Sequence, residues 1–209
     1  EVQDEIYNWC RRGRLYPELE KDGLLHRVGL PGNRRRPADV LICKRTAFLE
    51  NLPGQRGQLP ARRGTKVALD IGVINPLGQG HWDATLNAPC TAATNYATKK
   101  RAHERTDALC AEAGIIFEPL VFEAHGGVDP RAYAILHRIA EAVATAERAD
   151  PVVRKSELLQ KIGLILVRAQ SRSVSRRQAP GEAPARRSLK RTLGELAGLS
   201  QPAEVAPDG

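Results

Sequence analysis

The chain has no methionine, and only three phenylalanines and two tryptophans among its 209 residues. With so few large rings, alanine and branched aliphatic side chains must carry the packing of any core. Four cysteines, Cys10, Cys43, Cys90 and Cys110, stand far apart with no CxxC or CxxxxH spacing. That spacing argues against a disulfide framework and against a paired-ligand zinc site, so they read as reduced, mostly buried thiols. No apolar run approaches the roughly 18 residues that span a bilayer, and no charged-then-apolar leader opens the chain. The expectation is a protein with no membrane association, intracellular and not secreted. The first residue is Glu1 rather than Met, so a fragment or a processed product is expected.

Hydrophobic content of 42% in a chain of this length suits one globular domain with a self-sufficient core. The charge is unevenly placed. From Arg168 to Arg191, eight basic residues face Glu182 alone, giving +7 of the net +8. A basic arm on a near-neutral body is the footprint of a polyanion binder, and equally of a solubilising or targeting tail.

Periodicity gives an order of elements. Val2, Ile6, Trp9 and Cys10 recur at helical spacing up to Gly13. Residues 24–30 and 38–43 read as strands, and the Pro-, Gly- and Arg-rich stretch 44–65 as a long surface loop. "KVALDIGVI" (66–74) is the clearest strand, with Val67, Leu69, Ile71 and Val73 on one face and Ala68, Asp70 and Gly72 on the other. An Ala-rich helix is predicted from Asn87–Pro89 to about Ala113, followed by a strand over 115–124. Asp129-Pro130 and Asp150-Pro151 each announce a helix, with Asp as N-cap and Pro at the first helical position. The second helix carries a basic stripe of Arg154, Lys161, Arg168 and Arg172, which suits either a solvated face or phosphate contacts. Trp9 reads as a core anchor and Trp82 as a loop residue. The fold class is therefore α/β: a mixed sheet of about four strands in the order αβββαβ, plus two C-terminal helices. Residues 1–178 form the domain and 179–209 a basic, disordered tail with a short helix near 186–197.

Two acids sit oddly in this pattern. Asp39 enters the apolar run Val40-Leu41-Ile42, and Asp70 lies inside the next strand. Carboxylates on one face of neighbouring strands, about 4.8 Å apart, repel unless protonated or bridged by a cation. Mg²⁺ suits such a pair, because it takes one or two carboxylates plus waters and phosphate oxygens. A salt bridge from Asp39 to one of Arg34–Arg36, with Asp70 as a strand-end acid, is the plainer reading. His103, on the basic helix, and His125, beside Gly126-Gly127, are weaker candidates for proton transfer and phosphate contact. Surface positions account for them as well.

The stretches "RRRPADVLI", "VALDIGVINPL", "KKRAHERTDALCAEAGIIFEPLVFEAHGG" and "LLQKIGLILVRAQSRS" together resemble one family. It is the restriction-endonuclease-like domain that follows the reverse transcriptase in site-specific non-LTR retrotransposons, a branch of the PD-(D/E)XK phosphodiesterases. The resemblance spans about residues 1–178. It implies a metal-dependent DNA endonuclease using Mg²⁺ or Mn²⁺, with Asp39 and Asp70 as metal ligands. It further implies DNA (or RNA) as partner, an upstream reverse transcriptase domain in the parent protein, and a nuclear location for an active element.

By the same resemblance, Lys usually stands two residues after the second acid; here that position is Gly72. In this branch the cation comes from the following helix, where Lys99 and Lys100 are the candidates. Glu123 matches an acid near the family's site. Arg105, Arg154, Lys161, Arg168 and Arg172 would grip nucleic acid. The departures at Gly72 and in the lysine motif leave a second reading open, a catalytically inactive nucleic-acid-binding module on the same fold. A third is a structural α/β domain whose tail serves only localisation.

Overall fold

The computed structural model describes residues 1–19, 24–25, 38–43, 66–78, 80 and 82–177. The described elements run α1 (Val2–Arg12), β1 (Pro17–Leu19), β2 (Val40–Ile42), β3 (Lys66–Ile74), α2 (Trp82–Asn87), α3 (Thr91–Ala102), a 3₁₀ turn (His103–Arg105), α4 (Thr106–Glu112), β4 (Ile115–Glu123), α5 (Pro130–Glu147) and α6 (Pro151–Arg177). The four strands form one mixed sheet in the order β1-β2-β3-β4, antiparallel at the first two junctions and parallel between β3 and β4. The α/β class and the four-stranded mixed sheet are thus as expected. By internal contacts the chain divides into Glu1–Arg168, which holds the whole sheet, and Ala169–Gly209.

The sheet covers itself unequally. On one face Val40, Ile42, Val67, Leu69, Leu120 and Phe122 meet α1, α5 and α6 in a single large cluster. On α5 Ala132, Ile135, Ile139 and Val143 are buried along one face, while Ala146 is half-buried. On α6 Leu158, Ile162 and Leu166 are buried, Ile165 is half-buried and Ala169 is exposed. Trp9 is fully buried here, its Nε1 donating to Glu5 Oε1 at 2.8 Å. The opposite face carries two smaller clusters. One joins Leu41, Ala68, Ile115, Phe117 and Cys110 of α4. The other joins Ile74 and Val121 to Ala92, Ala93 and Ala97 of α3.

Both Asp-Pro signals are used as expected. Asp129 accepts from the amides of Arg131 and Ala132 (3.2 and 3.1 Å), and Asp150 from that of Val152 (2.7 Å). All four cysteines are free thiols; Cys10 and Cys110 are buried and Cys43 and Cys90 half-buried. Burial pushes the Cys10 thiol far up and, with the nearby Asp107 charge, takes Cys110 to about 12.

Three expectations fail or shift. The single helix expected over Asn87–Ala113 is broken into α3, the 3₁₀ turn and α4, with Glu104 and Arg105 left-handed (φ 48° and 57°). Two helices are needed because the segment must cover two separate clusters, which one straight rod of alanine-faced helix does not reach. Trp82 opens a short helix, α2, instead of lying in a loop. The first strand is β1 at Pro17–Leu19, an edge position that tolerates Pro17, whose missing N–H no ladder requires. Of the strand expected at 24–30, Leu24 and Leu25 form a turn and 26–30 lie outside the described residues, as do the 44–65 loop and the 179–209 tail.

Candidate active site

Along β3, the residues facing α3 and α4 are Ala68, Asp70, Gly72 and Ile74. Ala68 belongs to one small cluster and Ile74 to the other, so Asp70 and Gly72 occupy the seam between them. Asp39 arrives from the neighbouring strand. β2 and β3 pair Val40 with Leu69, and the Asp39 amide donates to Leu69 O at 2.9 Å, which holds Asp39, in a bend just before β2, at the β3 strand next to Asp70. Asp39 Oδ2 also accepts the Ile71 amide at 2.7 Å, which turns its carboxylate toward β3 beside Asp70.

The cation in the seam comes from α3. Lys100 Nζ donates to both carboxylate oxygens of Asp70, each at 2.7 Å. The side chain fills the space over Gly72, where an added Cβ would meet Lys100 Cε at 3.4 Å and Nζ at 3.5 Å. An ammonium therefore stands close to where a side chain at residue 72 would have placed one. Tyr96, one helical turn earlier, closes the same space. Its Cε1 would lie 3.5 Å from that Cβ, and Lys100 Nζ sits 5.8 Å from its ring centroid. Desolvation by these neighbours raises the Asp70 carboxyl above its ordinary value; Lys100 lowers it, and the charge of Asp39 raises it again.

Lys100, not Lys99, is the lysine of this seam. Lys99 is exposed, because the next residue along a helix points about 100° away. Glu123 does not join the group. It pairs with Ile74, four residues beyond the Asp70–Pro119 pair, or about 13 Å along the strand. There it accepts the Ala93 amide in the first turn of α3 at 3.3 Å. Its carboxylate lies so close to the following turn that a Cβ at Gly127 would fall 2.3 Å from Oε2. Gly127 thus serves the tight turn.

The basic stripe of α6 divides. Arg154 pairs with Glu147 (2.9 Å) and Glu157 (2.6 Å), and Lys161 with Glu5 (3.4 Å) and Glu157 (3.6 Å). With Arg12, which donates to Glu147 at 2.8 Å and lies 4.3 Å above the Trp9 ring, they form a network joining α1, α5 and α6. Arg154 and Lys161 are thus engaged by acids of α1, α5 and α6. Arg168 and Arg172 are exposed; Arg105 is exposed, with a loose 3.8 Å pairing to Glu112. His103 is three-quarters exposed and His125 is exposed, neither lying in the seam.

Sequence reading missed Tyr96, although Tyr96 and Lys100 have the i, i+4 spacing that sets two side chains on one helix face. It also missed Glu118, fully buried in β4 and held by Arg131 Nε at 2.7 Å, by Arg131 Nη2, and by Arg101 Nη2 at 3.4 Å. Burial pulls the Arg131 guanidinium down, and the hydrogen bonds and charge of Glu118 more than offset it.

Among the described residues no group of three or more His, Cys, Asp or Glu is arranged to hold a metal ion. The pair Asp39 and Asp70 fits a hard divalent cation that takes one or two protein carboxylates and completes its shell with water and substrate oxygens. No family model, curated protein or solved structure matches the chain. Among the described residues no helix is long and apolar enough to cross a membrane.

Proposed function

We propose that the chain is a metal-dependent DNA endonuclease domain of retroelement origin, with a restriction-endonuclease-like arrangement of its sheet. The observation that carries this reading is the Lys100 ammonium over Gly72, bound to Asp70, with the Asp39 carboxylate on the adjacent Ile71 amide. Two carboxylates and a lysine at one spot on a sheet are the groups that phosphodiester hydrolysis requires: cation ligands, and a donor for developing negative charge. Asp39 and Asp70 would hold Mg²⁺ or Mn²⁺, which supplies Lewis-acid stabilisation when bound. Lys100 then donates a hydrogen bond to a non-bridging phosphate oxygen or orients the attacking water. Tyr96 shields the ammonium stem. Arg105, Arg168 and Arg172 remain the candidates for backbone phosphate contacts. DNA is the expected substrate, with RNA the other polyanion of matching charge.

Nicking of supercoiled plasmid in Mg²⁺ or Mn²⁺ tests the reading. The intact chain should relax the plasmid, and Asp70→Asn and Lys100→Ala should not. Equal nicking by the chain and by Asp70→Asn sinks it. A second reading has its own support: Lys100 engages both oxygens of Asp70, which suits a site closed by its own ion pair. On that reading the chain binds DNA in a salt-dependent way and nicks it with neither metal.

A further inference from the structure

The buried carboxylate of Glu118 takes no part in the seam, yet it joins three elements that surround it. Glu118 is fully buried in β4, beside Pro119, the register partner of Asp70. Arg131 of the first turn of α5 holds it with two hydrogen bonds, and Arg101 of the last turn of α3 reaches the same carboxylate at 3.4 Å. Taking a carboxylate out of water costs several kcal/mol, and its ion pairs return that cost only with good geometry. Such a group is a weak source of stability, and what it specifies is the better question.

Arg101 directly follows Lys100. The face that α3 buries consists of three alanines, Ala92, Ala93 and Ala97. Methyl groups give a helix little to interlock with, so they define its rotation and slide poorly. Past Ala102 the chain turns through the left-handed Glu104 and Arg105, which adds no packing there. Charged tethers therefore set the angle of the last turn. Arg101 to Glu118 and Lys100 to Asp70 hold it at two adjacent residues, one on β4 and one on β3.

We infer that Glu118, locked by Arg131, is a positioning residue for the lysine of the site: through Arg101 it fixes the last turn of α3 so that Lys100 falls on Asp70. The inference rests on the nuclease reading for its effect on catalysis, but its geometric content is independent of it. Arg101→Gln is the cleanest probe, because Glu118 keeps both hydrogen bonds from Arg131 and its charge stays compensated.

The first readout is the Lys100 ammonium resonance in the full chain labelled with ¹⁵N-lysine, assigned by its loss in Lys100→Ala. In the intact protein it should show a protected, hydrogen-bonded ammonium. In Arg101→Gln it should move to the position of a free lysine, and Arg101→Lys should restore it in part. An unchanged resonance in both Arg101→Gln and Glu118→Gln overturns the inference, whether or not the chain cuts DNA.

The second readout is nicking. Displacing a reacting group by about 1 Å costs on the order of a hundredfold. Arg101→Gln should therefore lower kcat tenfold to a hundredfold, with KM for DNA unchanged. A rise in KM at constant kcat would instead make Arg101 a DNA contact. A background of Gly72→Lys with Lys100→Ala moves the ammonium onto β3, away from α3. If that background nicks, Arg101→Gln should cost it less than twofold; an equal loss in both backgrounds counts against positioning. If neither the intact chain nor this background nicks, the nuclease reading fails and the ammonium resonance alone decides the inference.

Discussion

The two faces of the sheet are built on different principles. Against α1, α5 and α6 lies one continuous core that includes Trp9, Phe122 and a run of Leu, Ile and Val. The charges around it neutralise one another in the Arg12–Glu147–Arg154–Glu157–Lys161–Glu5 network. Against α3 and α4 lie two small cores, one of them packed on alanines, and the gap between them holds Asp70, Gly72 and Lys100. The first face holds the domain together, and the second leaves a polar gap. Stability and site are thus separated by the thickness of one sheet.

That separation can be broken at either side. The largest effect belongs to Trp9→Ala, which should destabilise the fold by about 3–5 kcal/mol in urea denaturation, since a fully buried ring leaves a cavity that only partly relaxes. The matching change on the other face, Ala97→Gly, should cost only about 1 kcal/mol, the helix propensity difference.

Next comes Lys100→Ala. Nicking should fall by about 10²–10³, the cost of losing a preorganised donor to developing charge, while the urea midpoint moves little. A large loss of stability there would erase the contrast between the faces.

Smaller again is the effect of the divalent cation. Millimolar Mn²⁺ should raise the melting temperature of the intact chain through ligand linkage, and leave Asp70→Asn unmoved.

The acid response should come from the first face. The hydrogen bond from Arg12 holds Glu147 below its ordinary 4.5, and that from Arg154 does the same for Glu157. A depressed folded pKa adds stability that is present above about 4.5 and lost as pH falls through the lowered values. The melting temperature should therefore drop on acidification below that point, and less steeply in Glu147→Gln/Glu157→Gln.

The smallest effect concerns DNA. Arg168→Gln should reduce the slope of log affinity against log salt by about one, while Lys161→Gln should leave it unchanged.

Much of this was legible in the residues, and the reasons for the rest are specific. β3 was readable to its ends because period-2 alternation and flanking turn residues agree. The starts of α5 and α6 were readable because Asp-Pro carries both a cap and a preset φ. Asp39 and Asp70 stood out as acids inside apolar strands. Glu118 stands in an equally apolar strand and carries the same signal, but its partners lie 17 and 13 residues away, where no local pattern points. The choice between Lys99 and Lys100 depended on the rotation of α3, which its alanines leave undefined. The break at Glu104 and Arg105 was hidden because neither is the glycine that a left-handed position favours. The acids that engage Arg154 and Lys161 on α6 come partly from α5 and α1, outside the helix itself, where no pattern within it points.

The alanine face of α3 has a consequence for how the protein fails when heated. The helix that carries Lys100 buries little apolar surface and leads into two left-handed residues. It should therefore open locally at lower cost than the sheet and α5, which share the large core. On the proposed nuclease reading, nicking should disappear at a temperature where circular dichroism still reports an intact fold. Amide hydrogen exchange should find α3 opening at a cost well below that of β3, the strand it serves.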